Sequence, residues 1–251
     1  MHQTAQRQCR VPHGALVMRE RRAGKLARSV LRGPGEREPT WLPGDAFGSD
    51  MPEYDITKKS RPVVVTAYQF RWASDFTQIA RRIRELVGDA AIRIDHIGST
   101  AVPGLGAKDI IDIQITVADM DRASGLTSLL NAAGFRQGTT FQYDAFHGKA
   151  ETDPELRKLY MREPEGERRA HIHVRELGRF NQRYALLFRD YLRASEAVRD
   201  EYELLKHRAA RLFPDSIEGY LFLKEPIFHI IYEAASLWAE RVGWMPDEDY
   251  L

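Results

Sequence analysis

The stretch RIDHIGSTAVPGLGAKDIIDIQI, Arg93 to Ile115, gathers the residues of this chain best suited to chemistry. A Gly98-Ser99-Thr100 turn follows an alternating apolar segment, Lys108 closes a Gly- and Pro-containing loop, and Asp112 and Gln114 then stand two apart on a second alternating segment. A Gly-Ser pair at a strand end offers free N–H groups and a hydroxyl to an anion such as phosphate. On the next strand, Asp112 could hold Mg²⁺ against that phosphate, because a hard cation takes carboxylate oxygen. Alone the pattern has low specificity, since Gly-Ser turns and polar-face aspartates are common.

Two strands must hold this loop. In AIRIDHI, Ile92, Ile94 and His96 fall on one face and Arg93, Asp95 and Ile97 on the other, which makes His96 a hydrogen-bonded core histidine. In IIDIQITV, Ile111, Ile113, Ile115 and Val117 face one way and Asp112, Gln114 and Thr116 the other, giving one buried and one polar face. Upstream, VVVTAY is a short β-branched run, and Phe76, Ile79, Ile83, Leu86 and Val87 recur at helical spacing up to Gly88. MDRASGLTSLLNAAG reads as a helix ended at Gly134, and Lys158 to Arg162 and His171 to Arg175 as short strands around the turn EPEGER. Phe180, Tyr184, Leu187 and Tyr191 share one helix face, and Val198, Tyr202, Leu205, Ala209 and Leu212 another. A third helical pattern runs from Ile217 to Ala239, with a kink expected at Pro226. The sum is an α+β domain with a helical C-terminal half.

Three further groups of side chains invite a functional reading. Lys224 falls in the apolar stripe Ile217, Tyr220, Leu221, Ile227, Phe228 and Ile231, where a charge is costly unless it is paired or faces a cavity. A stem that snorkels to solvent is the bland alternative. His171 and His173 alternate with Ile172 and Val174, as they would on any solvated strand face, and Arg189 can simply pair with Asp190 or Asp200.

HIGSTAVPGLGAKDIIDIQITV, RRAHIHVRELG, LLFRDYLRASEAVRDEYELLK and GYLFLKEPI resemble, in order, the successive blocks of the GrpB family. The resemblance implies the nucleotidyltransferase fold shared with DNA polymerase β, a mixed sheet with a helical C-terminal half; the family also occurs as a domain appended to some bacterial dephospho-CoA kinases. In that superfamily a Gly-Ser or Gly-Gly pair precedes a strand bearing Asp-x-Asp/Glu, and a third acid lies on a later strand. The resemblance therefore implies phosphate-gripping roles for Gly98, Ser99 and Thr100 and the first carboxylate for Asp112. Gln114 stands at the second carboxylate, where its amide oxygen can coordinate a cation but adds no charge, so the implied Mg²⁺ ligands are Asp112 and Gln114. His171 and His173 fall where the third acid is expected, and histidine suits proton transfer better than Mg²⁺.

The leading expectation is a nucleotide or another phosphorylated small molecule bound between the strand pair and the helical half. Asp112, His173 and Lys224 form the catalytic set, and Lys108 and Arg189 clamp phosphate. Two other classes stay open. One is a non-catalytic accessory module for a partner such as a dephospho-CoA kinase, and the other is ATP-dependent, ligase-type group transfer.

Composition bounds these readings. The chain has 251 residues, net charge +1 and 43% hydrophobic residues, enough for one substantial domain, expected over residues 61–245. Its apolar runs fall far short of the ~20 residues of a spanning helix, so no membrane partner is expected. The lone Cys9 excludes a disulfide framework and fits a cytoplasmic protein. Residues 1–37 carry nine Arg/Lys against Glu20 and Glu36; residues 1–60 read as a basic, flexible extension, of which residues 1 to about 50 are expected to be dispensable for stability. Nucleic acid is not the expected partner.

Overall fold

The computed structural model describes residues 54–138, 142–146 and 148–247; the basic segment up to residue 53 lies outside them. Strands β1 (Arg93–Ile97), β2 (Ile111–Val117), β3 (Arg136–Gly138), β4 (Leu159–Arg162) and β5 (Ala170–Glu176) form one mixed sheet in the order β1-β2-β5-β4-β3. β1 runs antiparallel to β2, with Asp95 opposite Gln114 and Ile97 opposite Asp112. β2 and β5 are parallel, which sets Asp112 opposite His171 and Gln114 opposite His173. β4 is antiparallel to β5, with Tyr160 opposite His173 and Arg162 opposite His171. Because neighbouring side chains leave a strand on opposite faces, this register sorts the sheet into an apolar side and a polar side.

The apolar side carries Ile94, Ile111, Ile113, Ile115, Ile172 and Val174, and helices α1 (Arg71–Val87) and α2 (Ala123–Ala132) complete its core with Trp72, Ile83 and Leu130. Each of these large side chains, shut from water, contributes roughly 1.5–3 kcal/mol. α1 stops where Gly88 takes φ 52° and its N–H returns to the Arg84 carbonyl. His96 belongs to this side: its ring stacks on Phe76 of α1 at 4.7 Å, and its Nε2 lies 3.0 Å from the hydroxyl of Thr100.

Helices α3 (Phe180–Ala194), α4 (Glu196–Leu212) and α5 (Ile217–Val242) form the C-terminal half. Val102 and Leu105 of the loop after β1 pack with Phe188, Leu192, Tyr202 and Ile231 in a second core, which fixes that loop against all three helices. Ser216 opens α5 by accepting the Gly219 N–H at 3.1 Å, and the helix continues through Pro226. Among the described residues no helix is long and apolar enough to cross a membrane.

Three departures from the sequence reading are local. β3 is a three-residue edge strand, too short to show alternation. VVVTAY gives only the bridge between Thr66 and Ala107, because its Val63 is drawn into a small cluster with Ala209 and Tyr220 instead. Residues 54–60, placed by composition in the extension, bind the start of α5: Asp55 N–H donates to Glu218 (2.9 Å), and the Ser60 hydroxyl accepts the Ile217 N–H (2.9 Å).

Burial pushes the His96 imidazole down to about 3, with Asp112 opposing and Arg193 and Arg189 reinforcing. The unfolded chain takes up this proton near pH ~6.5 and the folded one does not, so stability falls as pH drops from about 6.5 toward 3, by up to about 1.4 kcal/mol per unit. His96→Gln should flatten the loss of melting temperature between about pH 6.5 and 4.5; slopes equal to the parent's would contradict this account.

Candidate functional site

Where the polar side of the sheet meets the C-terminal helices, the chain forms an open cavity of about 300 Å³. Gly98 and Ser99 reach it from the end of β1, Asp112 from β2, His173 from β5 and Lys224 from α5. Five of the expected site residues, drawn from four elements, thus meet at one place. Aromatic side chains form the opposite wall: Phe146 packs edge-on to Phe180 (4.7 Å) and Tyr184 (5.3 Å), with Tyr202 and Phe228 completing the lining.

Gly98 is required by close approach. Its φ is 70°, and a Cβ there would lie 2.9 Å from the Asp112 Cβ and press on the carboxylate. Asp112 Oδ1 sits 3.3 Å from His171 Nδ1. Burial opposes its ionisation, but the hydrogen bond from His171 and the nearby charges prevail and hold the carboxyl below its usual range. His173 is driven well below its usual value, first by burial and then by Arg175 and Lys158, so it stands neutral near pH ~7 with its Nδ1 buried and without a hydrogen-bond partner. Lys224 is also pushed well down by burial, with Lys108 and Lys206 adding to the shift against Asp112. Its Nζ lies 4.5 Å from the Phe228 ring, and it has no carboxylate within ion-pair distance among the described residues.

Four expected residues lie outside this cavity or are committed elsewhere. Thr100 is buried and hydrogen-bonds His96 and the Ile110 carbonyl (3.3 Å), so it holds the turn and does not face the cavity. Lys108 points to the Tyr220 ring at 4.9 Å, outside the cavity lining. Arg189, read as a phosphate clamp, is buried against Asp190 (2.7 Å), Asp247 (3.1 Å) and the His96 carbonyl (3.1 Å). Its nearer carboxylates consume the charge that a phosphate would need. Gln114 is wholly buried; its Oε1 accepts from Arg175 (2.7 Å) and its Nε2 donates to the Gln182 carbonyl (3.1 Å).

Arg175 and Asp144 are the lining residues that periodicity does not single out. Arg175 donates to Asp144 through Nε at 2.9 Å, and Asp144 also accepts from Lys158 (2.6 Å) and Asn181 (3.0 Å). Burial opposes the charge on Asp144, yet Arg175 and Lys158 hold it well below the carboxylate range. Asp144 lies in irregular chain and its partners are 14 to 37 residues away, so nothing local marks it. The aromatic wall was foreseeable only as apolar helix faces.

This donor set does not fit a two-ion Mg²⁺ site. The Gln114 oxygen already meets a guanidinium, His173 stands where a third acid would serve, and no group of three or more His, Cys, Asp or Glu among the described residues could hold a metal. A fixed cation, Arg175, meets the oxygen of Gln114, the residue expected as the second metal ligand.

Residues 62–234 match the family described as GrpB protein. The chain is similar to the dephospho-CoA kinase of Mycolicibacterium paratuberculosis, 34% identical over 199 residues, which cover 74% of this chain and 49% of that protein. It is also similar to a UPF0157 protein of Halalkalibacterium halodurans, 30% identical over 186 residues, covering 72% of this chain and 87% of that one. Among solved structures, the conserved protein GrpB from Enterococcus faecalis superposes with a TM-score of 0.59 at 28% identity, over 70% of this chain and 99% of that one. The chain thus spans about half the length of the dephospho-CoA kinases it matches. With the match running through the loop after β1, the paired strands and the helices that close the cavity, the chain belongs to the GrpB family.

Proposed function

We propose that this protein is a nucleotidyltransferase-like member of its family that binds a nucleotide or another phosphorylated small molecule in the cavity between the sheet and the C-terminal helices. The observation that carries this reading is the convergence of Ser99, Asp112, His173 and Lys224 on one cavity with an aromatic wall. The Gly98-Ser99 turn would grip a phosphate and Lys224 would neutralise its charge. Phe146, Phe180 and Tyr184 offer faces for a base to stack on. In a transfer, an acceptor hydroxyl would attack the α-phosphorus of a nucleoside triphosphate. The new P–O bond would form as pyrophosphate leaves, and the hydroxyl proton would pass to neutral His173.

A second reading has its own support. Matching half of a kinase's length is what an accessory module carried beside a catalytic domain would give, and such a module need bind no nucleotide.

Titration with nucleoside triphosphates, monitored by calorimetry and melting, separates the two. Under the first reading, ligand raises the melting temperature of the parent, Ser99→Ala weakens binding about tenfold, and Lys224→Met weakens it further. Lys224→Met should also stabilise the ligand-free protein, by about 2–4 °C for each kcal/mol of burial cost relieved. Absence of binding across the four common nucleotides would favour the accessory module.

The Gln114–Arg175 contact yields a separate test. In Gln114→Glu the new carboxylate would meet the Arg175 guanidinium, so Mg²⁺ should shift the melting temperature of variant and parent alike. A larger Mg²⁺ response in the variant would mean that positions 112 and 114 share a cation site.

A further inference from the structure

A second hollow, of about 190 Å³, is lined by Arg61, Lys108 and Arg169 together with Thr66 and Asp109. Tyr220 links it to the main cavity, since its ring lies 4.9 Å from Lys108 Nζ and 5.8 Å from Lys224 Nζ. Arg169 immediately precedes β5, and its carbonyl accepts the Ile111 N–H at 3.1 Å, so the sheet fixes its position.

The charges here do not balance. Asp109 spends its carboxylate on Arg71 (2.5 Å), Trp72 (2.6 Å) and Arg168 (2.6 Å). Glu163 spends its own on Arg136 (2.9 Å), Arg162 (2.9 Å) and the Ala170 N–H (3.0 Å). Among the described residues, no carboxylate lies within ion-pair distance of Arg61, Lys108 or Arg169. Arg169 Nη2 is closed off from solvent without a hydrogen-bond partner, and so is Nε of Arg162, whose charge also bears on Arg169. Like charges held together with buried donors unspent raise the free energy of the empty site, and an anion relieves both terms at once.

We infer that Arg61, Lys108 and Arg169 form a subsite for a phosphate group, next to the main cavity and distinct from it. Two guanidinium forks and an ammonium converging on one small hollow suit a tetrahedral oxyanion. The inference does not rest on what fills the main cavity. The phosphate could belong to a ligand that spans both sites through the Tyr220 wall or to a separate phosphorylated molecule.

The test uses the full chain and inorganic phosphate, against chloride at equal ionic strength, with affinity from calorimetry and stability from melting. Phosphate should bind and stabilise the parent. Arg169→Gln should bind phosphate at least about tenfold more weakly and, without phosphate, should melt higher than the parent, because a like-charge repulsion is gone. A residue with a merely structural role would melt lower when replaced. Arg169→Lys, which keeps the charge, should retain part of the affinity and controls for misfolding. If Arg169→Gln also weakens a nucleoside triphosphate, one ligand spans both sites; if it weakens phosphate alone, the subsite serves a second molecule. No phosphate binding by the parent, or equal binding by Arg169→Gln, overturns the subsite. Phosphate binding lost in Ser99→Ala or Lys224→Met but kept in Arg169→Gln would likewise overturn it, while leaving the reading of the main cavity intact.

Discussion

Arg175 ties the polar side of the sheet to the helices above it. Its guanidinium reaches Gln114 on β2 and Asp144 in the chain before β4, and Asp144 in turn draws in Lys158 and Asn181 of α3. Gln114 completes the tie through the Gln182 carbonyl. All of this is buried or nearly so, where losing one partner of an ion pair costs about 3–5 kcal/mol because the other charge is stranded. The floor of the cavity is therefore held by a connected ion-pair and hydrogen-bond network, in which the Asn181 Oδ1 alone of the groups just named is buried without a partner.

The polar groups are unevenly paired. Asp144 accepts from three donors, while His173 and Arg169 keep buried nitrogens unpartnered. Burial pushes Lys108 down to about 8 and Lys206 to about 7, so the lysines around Tyr202 and Tyr220 sit close to losing their protons. Such groups destabilise an empty site and gain most when an anion arrives. Arg175 already occupies the oxygen of Gln114, the expected second metal ligand, so positive charge for a bound phosphate would come from side chains.

The fold was legible wherever a period was long enough to count. Alternation in IIDIQITV separates Ile113 from Asp112 and Gln114, and the structure keeps that separation in full. Glycines mark helix ends at Gly88 and Gly134 because each takes a positive φ. Lys224 could be found because a charge in an apolar stripe breaks a local rule, whereas Ser99, Asp112 and His173 are locally ordinary and are singled out by the resemblance to the GrpB blocks. Arg189, expected as a phosphate clamp, instead makes the pairing with Asp190 that the sequence also allows, and adds Asp247, a partner too distant in the chain to be seen there. Arg175 and Asp144 are the converse case. Neither is odd locally, and their importance lies wholly in contacts between segments far apart in the chain. Gln114 looked like a weakened metal ligand because its partner could not be seen from the sequence.

The most direct measurement is a crystal structure of the full chain with a nucleoside triphosphate. The account predicts phosphate oxygens within hydrogen-bond distance of Ser99 and Lys224, the base against Phe146 or Tyr184, and Arg175 still bound to Gln114 and Asp144. Phosphates seated away from the Gly98-Ser99 turn, or a cavity whose Arg175 has left Gln114 to make room for a metal ion, would contradict it.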